Sequence, residues 1–172
     1  MANPVLARLL ALWIILLFAF TSCSKTDQSE EIRRLVTRGV KLAEEHDIGG
    51  LIEHTTENFL ANPGQYNQRA VRGILFRAFS YYGEFKILYP RPIVELAPGD
   101  QTASAKVYFL IVRKDISMPK LDLLYNDPKG WLAETGENAD LYRLNLEFLK
   151  KKGKWLVKLA LLESFTGIGF SE

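Results

Sequence analysis

Two histidines, one cysteine and scattered carboxylates are what this 172-residue chain offers for polar catalysis. His46 stands beside Asp47, but side chains one apart on a helix do not face each other. His54, eight residues on, lies about 80° further round the same helix. A general base has to sit in a pocket with its pKa near working pH. Glu57 reads instead as a surface residue at a helix end. Glu95, Glu147 and Glu163 fall on strand-like segments, Glu147 on the outward face. The sequence has no Gly-rich phosphate loop, no G-x-S-x-G elbow and no H-E-x-x-H pair. One cysteine excludes an intramolecular disulfide and a multi-cysteine zinc site, so neither metal nor cofactor is expected. Aromatic residues are the richer supply. Tyr82, Tyr108, Tyr142, Trp155 and Trp131 are the candidate binding residues, with core and rim packing as their other reading. Lys and Arg total 22 against 20 Asp and Glu, a net charge of +2 that makes no electrostatic case for nucleic acid.

The cysteine has a setting of its own. Arg8 precedes Leu9 to Phe20, an unbroken apolar run of 12 residues. As a helix it would span about 18 Å, against a hydrocarbon core of about 30 Å. That is short for a membrane span and fits the apolar region of a secretion signal. Phe20-Thr21-Ser22-Cys23 follows, and resembles the lipobox of bacterial lipoproteins, with Phe20 where Leu is usual. The resemblance implies that the Cys23 thiol takes a diacylglyceryl group, that the chain is cut before it, and that the new amino terminus is acylated. Three acyl chains bury on the order of 40 methylenes at ~0.8 kcal/mol each, an effectively permanent anchor. Ser24 after the cysteine resembles the outer-membrane sorting pattern of Gram-negative lipoproteins. Residues 1–22 are thus expected to be a signal peptide and 23–29 a lipidated tether, with the protein in the bacterial envelope, at the outer membrane facing the periplasm.

The remainder, 30–172, reads as one domain, and with 48% hydrophobic and 24% charged residues it is of ordinary globular composition. Ile32, Leu35, Val36, Val40 and Ala43 line one face of a first helix, started near Asp27 and Glu30. Asp47-Ile48-Gly49-Gly50 breaks it and caps a second helix whose face is Ile48, Leu51, Ile52 and Phe59. Asn62-Pro63-Gly64 makes a turn. A third helix starts near Asn67, with Ala70, Val71, Ile74, Leu75, Ala78 and Tyr82 inward and Arg69, Arg72 and Arg77 outward.

Beyond Gly83 the period changes to two. Glu84–Leu96 reads as a strand broken by Pro90 and Pro92, and Thr102–Arg113 as the strongest strand. Leu141–Lys150 alternates, with Tyr142, Leu144, Leu146 and Phe148 inward and Arg143, Asn145 and Glu147 outward. Lys152-Gly153 predicts a tight hairpin into Trp155–Leu162, whose Trp155, Val157, Leu159 and Leu161 would share the inward face. Segments 107–112 and 155–162 are apolar on both faces, so something should cover the second. The long insertion 114–140, carrying Trp131 and Leu124, or a homodimer would do so. At that length, and this apolar, the insertion is a lid, a partner surface or a flap over the sheet.

Helices followed by a long antiparallel meander give an α+β class. With Ala43 to Ile52 and the closing Lys152-Gly153-Lys154-Trp155, the order resembles the nuclear transport factor 2-like (NTF2-like, cystatin-like) superfamily over about 30–163. The resemblance implies N-terminal helices packed in the concave face of a curved antiparallel sheet, as a cone, and makes a homodimer an expected partner. Its enzymes, ketosteroid isomerase and scytalone dehydratase, place an acid/base residue in the cone. The isomerase-like acid would come soon after the second helix, where Asn58 and Asn62 stand here. The function expected is therefore a membrane-anchored binding module, not an enzyme, for a small apolar ligand or an envelope protein. A divergent isomerase- or dehydratase-like enzyme and a structural subunit of an envelope assembly are the alternatives. Lys150, Lys151, Lys152 and Lys154 form a basic tip that reads as a solvated turn or a contact with anionic lipid.

Overall fold

The computed structural model describes residues 24–113, 139–165 and 170–171. Residues 1–22 (expected to be a signal peptide), Cys23, Trp131 and most of the 114–140 insertion lie outside the described residues. Helix α1 (Ser24–Glu44) buries Ile32, Val36 and Leu42 along one stripe. It stops at a reversal: Asp47 N–H donates to Leu42 O at 2.8 Å, and His46 adopts a positive φ of 58°. Asp47 then caps helix α2 (Ile48–Glu53), its carboxylate accepting from Gly50 N–H at 2.8 Å. A Cβ on Gly50 would fall 2.5 Å from Asp47 Oδ2 and 2.9 Å from Leu42 Cδ2, so a larger residue would have to displace the capping side chain.

The second helix is shorter than its apolar spacing suggests. Thr55 and Thr56 occupy the turn where the helical stripe would need apolar residues, and Thr55 Oγ1 donates to Ile52 O at 2.7 Å. The chain passes instead into strand β1 (Thr55–Asn62), so Phe59 and Glu57 lie on a strand and not on a helix. Helix α3 (Gln68–Tyr82) is capped by Asn67, whose side chain accepts from Ala70 N–H, and ends at Gly83 with φ 63°. Its inward stripe of Val71, Ile74, Leu75, Ala78 and Tyr82 is half-buried, and only Phe79 is fully so. Ala70, placed inward by periodicity, is exposed, as are Arg69, Arg72 and Arg77. Gln68 ties this helix to β1 by donating to Thr55 Oγ1 and Thr56 O, each at 2.9 Å.

The expected strand 84–96 is two strands, β2 (Phe85–Leu88) and β3 (Ile93–Leu96). Pro90 and Pro92 fall between them and interrupt the run, having no N–H to donate to a ladder. Both pair antiparallel with β4 (Thr102–Arg113), which is long enough to hold them end to end. β4 pairs with β5 (Ala139–Lys151) and β5 with β6 (Lys154–Phe165), while β7 (Phe170–Ser171) joins β6. The sheet order is β1-β6-β5-β4-β2. β1 runs parallel to β6, so the sheet is mixed rather than wholly antiparallel. The β5–β6 hairpin turns through Lys152 (φ 52°) and Gly153 (φ 77°), the pair of positive φ values that a two-residue primed turn demands.

Helix α1 packs on the sheet through one cluster of Ile32, Val36, Ala103, Ala105, Val107, Phe148 and Trp155. The alanines on β4 leave room for Ile32 and Phe148, which are 0% and 1% exposed. Phe148, opposite Ala103 and Val157, therefore marks the concave face. One residue further, the register of β6 slips. Phe148 pairs with Val157 but Glu147 pairs with Leu159, so Lys158 is an extra residue, a bulge. The slip exchanges the faces. Trp155 and Val157 point into the core as expected, but Leu159 and Leu161 turn to the convex side, and Leu162 takes the concave one beside Leu144. Part of the two-faced apolarity of 155–162 is this change of face.

Glu163 sits on the convex side, 3% exposed, opposite Arg143. Arg143 Nε donates to Glu163 Oε2 at 2.6 Å and Nη2 donates to Oε1, a bidentate pair, while Asn145 Nδ2 adds a bond at 2.8 Å. These bonds, Arg143 first, hold the Glu163 carboxyl below the usual glutamate range against the opposing effect of burial. A carboxylate with a depressed folded-state pKa contributes stability above its unfolded pKa and loses it as pH falls through the folded value. Glu163→Gln should thus lower stability at pH 7 and flatten its decline below about pH 4.5. Urea unfolding of the two proteins at pH 7, 5, 4 and 3 checks this, and parallel stability curves would contradict it.

Candidate functional site

The concave face opens at the end of the sheet where β5 begins. Tyr142 lies opposite Phe109 in the β4–β5 ladder, and their rings stack with centroids 5.4 Å apart. Two residues along β5 stands Leu144, paired with Val107 on one side and Leu162 on the other. Leu162 is 45% exposed although it faces the concavity, so the described residues cover the apolar wall only in part at this point. Tyr82 reaches this wall from the last turn of α3. Its hydroxyl is 2.6 Å from Asp140 Oδ2 and 2.8 Å from the Tyr142 hydroxyl.

The protons of this network can be assigned by counting. An ionised carboxylate only accepts, so Tyr82 donates its single proton to Asp140. The remaining bond must then run from Tyr142 to Tyr82. Burial first, then the bonds to Asp140 and Tyr142, push the Tyr82 phenol far above the ordinary tyrosine value. It stays a neutral donor at physiological pH. Beneath it, Phe85 meets Tyr82 edge-on at 6.0 Å and stacks with His46 at 5.4 Å, and Phe79 stacks on the other ring contact of His46 at 4.9 Å. The result is an apolar wall with one polar chain, Tyr142 to Tyr82 to Asp140, at its rim. Such a surface holds an apolar body and leaves an acceptor at the edge for its polar group.

Of the five aromatic residues proposed from sequence, the structure brings together Tyr82 and Tyr142. Tyr108 points to the opposite face of the sheet, where it bonds Arg143. Trp155 is 4% exposed in the core, under the Lys150 ammonium at 5.3 Å. Trp131 lies outside the described residues. Asp140 was not singled out in the sequence, since it closed a segment read as an insertion. The signal for it was its place two residues before Tyr142, one strand period earlier.

The other polar candidates lie elsewhere. Glu57, Glu95 and Glu147 are exposed on β1, β3 and β5. His46 is exposed on the reversal after α1. His54 accepts at Nε2 from Arg38 Nε at 3.1 Å, which requires its neutral form; burial first, then Arg38, lowers its pKa. Among the described residues no group of three or more His, Cys, Asp or Glu could hold a metal ion. An open groove of about 500 Å³ on the outside of α3, between Tyr66, Arg69, Ile74 and Arg77, shares no residue with the tyrosine site.

No protein-family model and no curated protein sequence matches the chain. Solved structures do. An NTF2-like protein of unknown function from Pseudomonas putida aligns with a TM-score of 0.61 at 16% identity, over 80% of this chain and 87% of that one. An NTF2-like protein with a cystatin-like fold from Novosphingobium aromaticivorans aligns at 0.58 and 17% identity, over 92% and 89%. A protein of the same organism provisionally named scytalone dehydratase aligns at 0.58 and 12% identity, over 82% and 89%. At these identities the likeness is one of fold, and the fold hosts proteins named as enzymes beside proteins without assigned activity. The chain has the NTF2-like, cystatin-like fold: an α+β cone in which helices pack against a curved mixed sheet.

Proposed function

We propose that this protein is a lipid-anchored binding module of the bacterial envelope whose cone takes a small, largely apolar ligand. The observation that carries the ligand is the exposed Leu162 on the concave wall beside the half-buried Leu144, bounded by the Tyr142–Tyr82–Asp140 chain. A folded monomer normally covers apolar side chains on its concave face, and pockets for small ligands combine such walls with few, fixed polar groups. The network is also self-satisfied. Each phenol has spent its proton on a neighbour, which suits orienting a ligand better than exchanging protons with it. The anchor rests on the Phe20-Thr21-Ser22-Cys23 sequence after its 12-residue apolar run. Among the described residues no helix is long and apolar enough to cross a membrane, so the attachment proposed is the lipid on Cys23.

Two measurements test the two halves separately. Labelled palmitate fed to the producing bacterium should enter the wild-type protein and not Cys23→Ala, and label retained by the variant would overturn the anchor. For the cone, titration with the apolar fluorophore N-phenyl-1-naphthylamine should show saturable binding that Leu162→Asp weakens at least tenfold. A buried leucine contact is worth about 1.5–3 kcal/mol, which sets that scale. Leu60→Asp is the control, since Leu60 is comparably exposed at 39% but pairs with Leu159 on the convex side. Equal affinity for all three proteins would contradict a ligand seat at the concave wall.

A further inference from the structure

The basic hairpin tip and the anchor end of α1 are 122 residues apart in sequence, yet Lys150 Nζ donates to Gln28 Oε1 at 3.3 Å. Below that contact, Trp155 and Ile32 share the core cluster, so the hairpin end and the start of α1 are packed as one unit. Gln28 is five residues after Cys23. Helix α1 begins at Ser24, so Gln28 lies about 6 Å along the axis from its start. The hairpin tip therefore lies at the end of the domain from which α1 starts.

Among the described residues nothing compensates the charges at the tip. Lys151 lies directly opposite Lys154 in the ladder, a like-charge pair that is unfavourable by itself. Lys152 occupies the turn between them with a positive φ. All three are exposed, and none forms an ion pair with a described residue. We infer that Lys151, Lys152 and Lys154 rest on the anionic phosphate headgroups of the membrane that holds the Cys23 lipid, and so orient the domain. This rests on the lipid-anchor reading and adds to it. Three acyl chains already secure attachment, so the lysines fix direction instead. Along β5, Asp140 is eleven residues from Lys151, about 36 Å at strand rise. With the hairpin tip on the bilayer, the mouth of the cone at Asp140 and Tyr82 points away from the membrane and exchanges its ligand with the aqueous side.

The full lipidated protein, reconstituted on vesicles of neutral phosphatidylcholine or of phosphatidylcholine with 30% phosphatidylglycerol, provides the test. Lysines are acetylated briefly with a membrane-impermeant sulfosuccinimidyl reagent and quantified by peptide mass spectrometry. On the anionic vesicles Lys151, Lys152 and Lys154 should react at least threefold more slowly than on neutral ones, and 0.5 M salt should remove the difference. Lys41 and Lys86, exposed side chains away from the tip, should react equally on both. Equal labelling of the tip on vesicles that the protein joins by its lipid overturns the inference and leaves the anchor standing. Protection on neutral vesicles by added glycerol phosphate alone would assign the tip to free phosphate and also overturn it. Protein that carries no lipid at Cys23 and floats with neither vesicle overturns the anchor, and the orientation with it.

Discussion

One extra residue in β6 governs the shape of this molecule. At Lys158 the strand holds one residue more than β5, between the Phe148–Val157 and Glu147–Leu159 pairs. Towards β1 the ladder is irregular at the same place, but there β1 carries the excess, with Thr55 opposite Val157 and Leu60 opposite Leu159. A bulge bends its strand and increases local twist. Because the side-chain period of a strand is two, it also exchanges the faces beyond it. Before the bulge the sheet closes on α1 through Trp155, Val157 and Phe148. After it, Leu162 is presented to the concavity and Glu163 to the convex side, where Arg143 and Asn145 are waiting in register. A straight β6 would place Glu163 among apolar side chains and Leu162 on the outside.

The helices are fastened to this curved surface unequally. α1 is held by apolar burial along its whole stripe, and Glu44 at its end accepts from the Ile87 N–H of β2 at 2.8 Å. α3 is held at its ends, by Gln68 at one and by Phe79 and Tyr82 at the other, with a half-buried stripe between. A helix attached this way covers the cone without filling it. Tyr82 is thus both the end fastening of α3 and the polar rim of the apolar wall, which links the geometry of the site to the seating of that helix.

Much of the local structure is legible from the sequence because its causes are local. The α1 stripe, the Asn67 cap, the Asp47 break and the Lys152-Gly153 turn each depend on a few adjacent residues, and each stands where its residue types place it. The differences come from partners far along the chain. Ile48, Leu51, Ile52 and Phe59 fit a helical face, yet 55–62 is a strand because β6, about a hundred residues on, supplies a ladder for it. The segment Leu156 to Leu162 is apolar at nearly every position, so no alternation survives to reveal the change of face at Lys158. For the site, Tyr82 and Tyr142 stand out as aromatic residues, but their hydrogen bond spans 60 residues and only the seating of α3 creates it. Tyr108 and Trp155 are equally prominent in the sequence. Pleat parity sends the first to the convex face, and the hairpin register sends the second into the core.

The central claim is that the cone is open at Leu162 and holds a small apolar molecule. Native mass spectrometry of the gently extracted mature protein tests it most directly. The account predicts a mass above that of the lipidated chain, with the excess released as one small molecule on denaturation. A mass equal to the lipidated chain alone, unchanged after exposure to envelope lipid extracts, would contradict it.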